Sequence, residues 1–502
     1  MKTGLSVLGI LMLCTLSFAG VKGKSVDEKI PMVTIKNSSP LVSFRILLNV
    51  GSAVDPAGKE GVANLTAWML SEGGTRTMSY KEIVDAMYPM ATSFNAQVDK
   101  EMTVFYGTTH LDNLQKYYQL IREMLLEPGW REEDFQRLKT RAINFLKIDL
   151  ADNNDEELGK EALYRMIYQG HPYGHHNVGT IEALQKMTLA DLQAFYKKYY
   201  VRANLVIGLA GNYPENLVTQ MQQDFAKWPQ GQALKLKLPQ PKPIHGLNVW
   251  LVKKNARATA ISFGFPIAIN RSHPDWPALW LIRSYFGEHR SSNSYLYQRM
   301  RRIRGLNYGD YAYIEYFPRG MFQFHPDPNL ARQQQIFQVW IRPVEPKNAH
   351  FSLRIAKYEL DKLLKNGLSQ EDFEATRNYL KKFVNVLVKT QMRQLGYAMD
   401  SRYYGIPPFT QYIKQSLDKL TLDDVNRVLH KYLQSENMDI VFVVKDAEDL
   451  KQRLVTNAPS PIQYNAPKPQ AILDEDKIIS TYPLDIKPEK VKIIPVEEVF
   501  LR

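Results

Sequence analysis

The chain has 502 residues, 44% hydrophobic and 23% charged, the balance of a globular protein too long for a single core. Its net charge of +12 is modest for that length. Arg290, Arg299, Arg301, Arg302 and Arg304 crowd on or beside one predicted helix without a stripe of stacking aromatics. They read as solvated helix faces, and no nucleic-acid partner is expected.

Residues 1–19 read as a signal peptide: Lys2, an apolar run from Leu5 to Phe18, then the small residues Ala19 and Gly20. The run is short for a membrane span. An uncleaved anchor is the alternative, and Leu13 ahead of Cys14 argues against lipoprotein processing. Cys14 is the sole cysteine, so cleavage leaves no disulfide, thiolate metal site or cysteine nucleophile. That suits export to the periplasm or cell envelope, with no membrane span in the mature chain.

Further along, the chain repeats itself. Glu133-Asp-Phe135 recurs as Glu371-Asp-Phe373, and each opens an amphipathic helix, Gln136 to Leu150 and Glu374 to Val388. Thr188-Leu-Ala-Asp191 recurs as Thr421-Leu-Asp-Asp424, each a helix start with threonine as N-cap and an acid in the first turn. The apolar runs Asn204 to Ala210 and Asp439 to Val444 follow as buried strands. The spacing predicts an α+β protein of two homologous halves, 25–229 and 251–456, each a mostly antiparallel sheet with helices on one face. A proline-rich, stiff linker spans 230–250. An extended tail, 457–502, carries apolar residues able to pack, with disorder as the alternative.

In the second half, the helix over Tyr295 to Arg304 puts Leu296, Met300 and Ile303 on its core stripe and points Arg301 away from it. Gly305 is a left-handed cap, and Leu306 to Ile314 runs out as a strand. His171, His175 and His176 lie close together, but Pro172 and Gly174 forbid a helical ligand face, so they read as a turn and not as a metal site. No G-x-S-x-G, P-loop or dinucleotide fingerprint occurs.

The stretch Gly51 to Leu70, with its Gly58-Lys-Glu-Gly61 turn, resembles the opening of the pitrilysin/insulinase metallopeptidases. There a strand and such a turn lead into a helix bearing H-x-x-E-H, two zinc-binding histidines and a glutamate that activates water. On that frame the histidines fall at Asn64 and Trp68 and the glutamate at Ala67. The third ligand falls within Ile143 to Leu146, a window without an acid. His171-Pro-Tyr-Gly174 also matches a turn of that family, and Tyr295 to Tyr308 resembles its substrate-binding segment, Arg-Gly-Leu-x-Tyr included.

The resemblance implies a clamshell fold in which Arg301 and Tyr308 bind the substrate backbone and steady the tetrahedral intermediate. It places Asn95 and Ala96 on an edge strand to which peptide adds as a further strand. A surface arginine, a core tyrosine and a plain sheet strand are the ordinary alternatives. The chain therefore resembles the zinc-free partner in a two-chain peptidase: no metal of its own, zinc in a homologous H-x-x-E-H subunit, and a peptide as substrate. A scaffold protein of the same fold is the alternative function, and a peptidase with unusual ligands is a third.

Overall fold

In the computed structural model, which describes residues 29–502, β2 (Leu41–Leu48) is buried along all but its first residue. β5 (Leu205–Gly211) and β10 (Met438–Val444) are buried throughout. A sheet with one wet face alternates buried and exposed side chains, so both faces of these strands must be covered.

Two sheets supply the frame. The first has the order β1-β5-β2-β4-β3, with β1 (Met32–Lys36), β3 (Phe94–Val98) and β4 (Thr103–His110). The second has the order β11-β6-β10-β7-β9-β8, with β6 (Leu247–Lys253), β7 (Thr259–Ile267), β8 (Asp310–Tyr313), β9 (Gln335–Val344) and β11 (Val491–Pro495). Without β11 the two orders are the same. β1–β5 and the corresponding β6–β10 are parallel, β11 joins β6 in parallel as well, and the remaining pairs are antiparallel. The fold is thus α+β with two homologous halves.

One face of each sheet carries helices of its own half. The other is covered crosswise: the Gln391–Tyr404 helix lies on β1, β2 and β5, and the Asp155–Ile167 helix lies on β7, β9 and β10. This exchange is why the central strands are buried on both sides. A charged seam runs beneath it. Asp99 and Arg332 form a buried two-pronged pair (2.8 and 2.5 Å), with the guanidinium 3.8 Å over the Tyr316 ring. Glu101 accepts from the Tyr403 hydroxyl (2.7 Å) and the Gln333 backbone N–H (2.6 Å). Burial opposes the Arg332 charge, but Asp99 more than offsets it, and the guanidinium pKa lies well above its ordinary value.

The linker read as 230–250 is irregular only to Gly246, and its last four residues already belong to β6. It is strapped to both halves, by Asn204 to Leu234 (2.8 Å) and by Gln334 to Pro239 (2.8 Å). The tail 457–502 is not simply extended. It folds a helix, Gln470–Ser480, and then adds β11 in parallel beside β6. Ile479 packs into the second core, while Asp476 pairs with buried Arg304 (2.8 Å). Val496, Val499 and Phe500 then bury in the first half, where Phe500 accepts from the Ile181 N–H (2.9 Å). No helix among the described residues is long and apolar enough to cross a membrane. The signal-peptide segment 1–19 lies outside the described residues.

Candidate functional site

The helix expected to carry the zinc motif forms at Val62–Glu72 and packs on β3 and on the Glu132–Asn144 helix. Its entry requires glycine: Gly61 has φ 103°, and a Cβ there would lie 2.4 Å from the Val178 carbonyl. Asp55 secures the start, accepting from the N–H groups of Gly61 (2.7 Å) and Ala63 (3.0 Å). Asn64 is buried with its amide nitrogen unpaired among the described residues, and Ala67 is fully buried. Trp68 is half-buried under the Arg141 guanidinium, 4.0 Å from its ring, and Glu72 holds Arg141 in place (2.9 Å).

These residues do not fit zinc. Ala67 has no donor, an indole N–H has no lone pair for a metal, and a fixed guanidinium stands against the would-be ligand face. The third-ligand window opens a wide-turn π segment, Phe145–Asp152, and contributes no carboxylate. No group of three or more His, Cys, Asp or Glu is placed to hold a metal among the described residues. The three neighbouring histidines are tied into their turn. His171 contacts the Pro239 carbonyl (3.0 Å), His175 contacts Asp55 (3.2 Å), and His176 accepts from the Val178 N–H (3.0 Å).

Asn95 and Ala96 lie on β3, the outer strand of the first sheet, opposite Tyr106 and Phe105. Asn95 is exposed and Ala96 half-buried. β3 pairs on one side only, with β4. At its far end the Gln97 amide donates to the carbonyls of Pro328 and Asn329 (3.1 and 3.2 Å). Those two residues belong to the long β8–β9 connection, Ile314 to Gln334, whose counterpart between β3 and β4 is only Asp99 to Met102.

Arg301 sits on a second π segment, Tyr297–Arg302. Leu296 and Met300 are fully buried as expected, but Ile303 is only half-buried. The wider turn rotates the chain so that Arg299 and Arg304 face inward instead, onto Glu359 (2.5 Å) and Asp476 (2.8 Å). Gly305 ends the segment at φ 69°. The strand that follows is shorter than expected, Asp310–Tyr313, so Tyr308 stands in the turn before it, 72% exposed.

The Arg301 guanidinium lies 4.7 Å over the Tyr308 ring. The two residues are therefore in contact on the surface, and Tyr308 is no core tyrosine. A stacked guanidinium and an exposed phenol offer several hydrogen-bond donors to an oxyanion. Two residues on, Asp310 is fully buried, and burial pushes its carboxyl up to about 8 although Asn307 donates to it (2.7 Å).

Arg301 and Tyr308 lie in the second half, while Asn64, Ala67, Trp68, Asn95 and Ala96 lie together in the first. Sequence reasoning missed Arg141. Its contact with Trp68 joins two helices, and no motif marks it.

A model of the family described as Insulinase (Peptidase family M16) matches residues 31–181, and one described as Peptidase M16 inactive domain matches 186–380. The chain belongs to the insulinase family. It is a member of the non-catalytic type. An uncharacterized zinc protease of Rickettsia bellii is 26% identical over 289 residues, 57% of this chain and 67% of the relative. The fold is similar to that of a peptidase M16 inactive domain from Pseudomonas fluorescens, with TM-score 0.72 and 22% identity over 82% of this chain and 95% of that one. It is also similar to the periplasmic protease PqqL from Escherichia coli, with TM-score 0.65 and 14% identity over 89% of this chain and 49% of that one.

Proposed function

We propose that this insulinase-family chain is the zinc-free subunit of a two-chain metalloendopeptidase, exported to the periplasm or cell envelope. Its partner would be a homologous subunit bearing H-x-x-E-H. The observation that carries this reading is the exposed Arg301–Tyr308 stack, kept in a chain whose zinc helix has lost every ligand.

Zinc in the partner would supply the activated water. In this chain, Arg301 and Tyr308 donate hydrogen bonds to the scissile carbonyl oxygen as it gains charge, and β3 at Asn95 and Ala96 offers its edge to the extended peptide. The periplasmic similar structure supports export. A scaffold role is favoured by one observation: the Arg141–Trp68 stack fills the old ligand face, as a purely structural protein would have it.

Purification from the native envelope, followed by metal analysis of each co-purifying chain, separates the two readings. A stoichiometric H-x-x-E-H partner carrying zinc is the expected result. Recovery only with non-peptidase partners would favour the scaffold.

A further inference from the structure

The arginines around residue 300 fall into two sets. Arg299 pairs with Glu359 (2.5 Å) and with Glu475, and Arg304 pairs with Glu475 (2.8 Å) and Asp476 (2.8 Å). Among the described residues Arg301 and Arg302 have no carboxylate partner: one stacks on Tyr308, and the other donates to Gln298 (3.0 Å). Both line an open pocket of about 530 Å³ together with Tyr297, Gln298, Asn293 and Lys468.

Lys468 comes from the tail. Its ammonium is anchored on the Ile303 carbonyl (2.5 Å) and lies 4.9 Å from the Tyr464 ring. Among the described residues no aspartate or glutamate lines the pocket. Glu475, on the nearby tail helix, is committed to Arg299, Arg304 and Lys362 (3.4 Å for the last). Three cations line one pocket while neighbouring cations are neutralised, which gives the pocket a positive potential suited to an anion.

We infer that this pocket recognises a carboxylate on the bound peptide, either an aspartate or glutamate side chain or a free C-terminus. The inference rests on the peptide-binding reading of Arg301 and Tyr308. It adds a preference for acidic peptide, set by Arg302 and the tail's Lys468. Arginine presents a planar fork to a carboxylate and lysine a point charge, so Arg302 gives geometry and Lys468 mainly attraction.

The test is fluorescence anisotropy with the full chain at low ionic strength, using four labelled peptides of one parent sequence. The first carries an internal Asp and an amidated C-terminus. The second replaces that Asp by Asn, the third is the Asn peptide with a free C-terminus, and the fourth places Lys at the same position. The Asp peptide should bind about five- to tenfold more tightly than its amidated Asn counterpart, in line with one or two partly exposed ion pairs. The Lys peptide should bind most weakly, and the advantage should shrink as salt rises. The free-C-terminus peptide shows which carboxylate source the pocket takes. Arg302→Gln and Lys468→Gln should each narrow the gap, and Arg302→Glu should reverse it, with melting temperature unchanged. Equal binding of all four peptides overturns the carboxylate inference while leaving peptide binding in place. No binding by any peptide overturns both. A gap that persists in the Arg302→Gln, Lys468→Gln double variant places the recognition elsewhere and sinks the pocket assignment.

Discussion

The first half and the second follow one plan, β1-β5-β2-β4-β3 against β6-β10-β7-β9-β8, yet they keep their polar groups for opposite ends. In the first half the helix face at Asn64, Ala67 and Trp68 is closed. Ala67 is buried, and Arg141 of the Glu132–Asn144 helix caps the half-buried Trp68. In the second half Arg301 and Tyr308 stay at the surface with no acidic partner among the described residues, while Arg299 and Arg304 beside them are locked inward. One scaffold thus presents a capped, half-buried indole in one half and an exposed guanidinium–phenol stack in the other. Two π segments mark these places, Phe145–Asp152 in the first half and Tyr297–Arg302 in the second.

The largest expected effect breaks the join between the halves. Asp99→Ala leaves Arg332 buried and unpaired, and should cost about 3–5 kcal/mol in denaturant unfolding. A loss under about 1 kcal/mol would mean that the seam is wetter than its geometry and that the halves are loosely coupled.

Next comes the retained side of the comparison. In a reconstituted complex, Arg301→Ala should lower turnover by about a hundred- to a thousandfold, or about 2.7–4 kcal/mol, with partner affinity unchanged. Tyr308→Phe should act in the same direction. Arg301→Lys should rescue poorly, because an ammonium cannot reproduce the planar fork. Full activity in both Arg301→Ala and Tyr308→Phe within an intact complex would reduce the pair to surface decoration.

Asp310 sharpens the comparison through pH. Its folded pKa is raised to about 8 by burial, so between the ordinary carboxylate range and pH 8 the folded state holds a proton that the unfolded state has released. Stability contributed this way is present at low pH and is lost as pH rises through that window, by up to about 1.4 kcal/mol per pH unit. Asp310→Asn should flatten that part of the stability–pH curve, read by chemical denaturation at several pH values. An unchanged slope would show that the carboxyl is ionised in the folded state.

The smallest expected effect is on the closed side. Asn64→His, Ala67→Glu and Trp68→His together should give no peptidase activity, because two histidines make an incomplete zinc shell and Ile143 to Leu146 offers no acid. Robust cleavage by this triple variant, assayed with and without chelator, would place the third ligand elsewhere.

Much of this plan was legible from local signals. Thr188 and Thr421 form the capping boxes that their first-turn acids suggested. The β-branched runs became β5 and β10 within a residue of the expected bounds. The contact of Arg301 with Tyr308 follows from a short segment, a left-handed Gly305 and a turn. What stayed hidden joins distant parts of the chain. The crosswise helices, the Asp99–Arg332 pair and the Arg141–Trp68 stack depend on tertiary packing that no periodicity encodes. The tail helix escaped because its anchor is charge, Arg299 and Arg304 on Glu475 and Asp476, with Ile479 the one tail-helix side chain in the second core.

Peptide cleavage by three samples tests the central claim most directly: this chain alone, a zinc-bearing H-x-x-E-H homologue alone, and the two mixed in equal amounts. The account predicts no cleavage and no stoichiometric zinc in the first sample, with chelator-sensitive cleavage in the mixture well above that of the homologue alone. Chelator-sensitive cleavage by this chain alone, with one tightly held zinc per molecule, would contradict it.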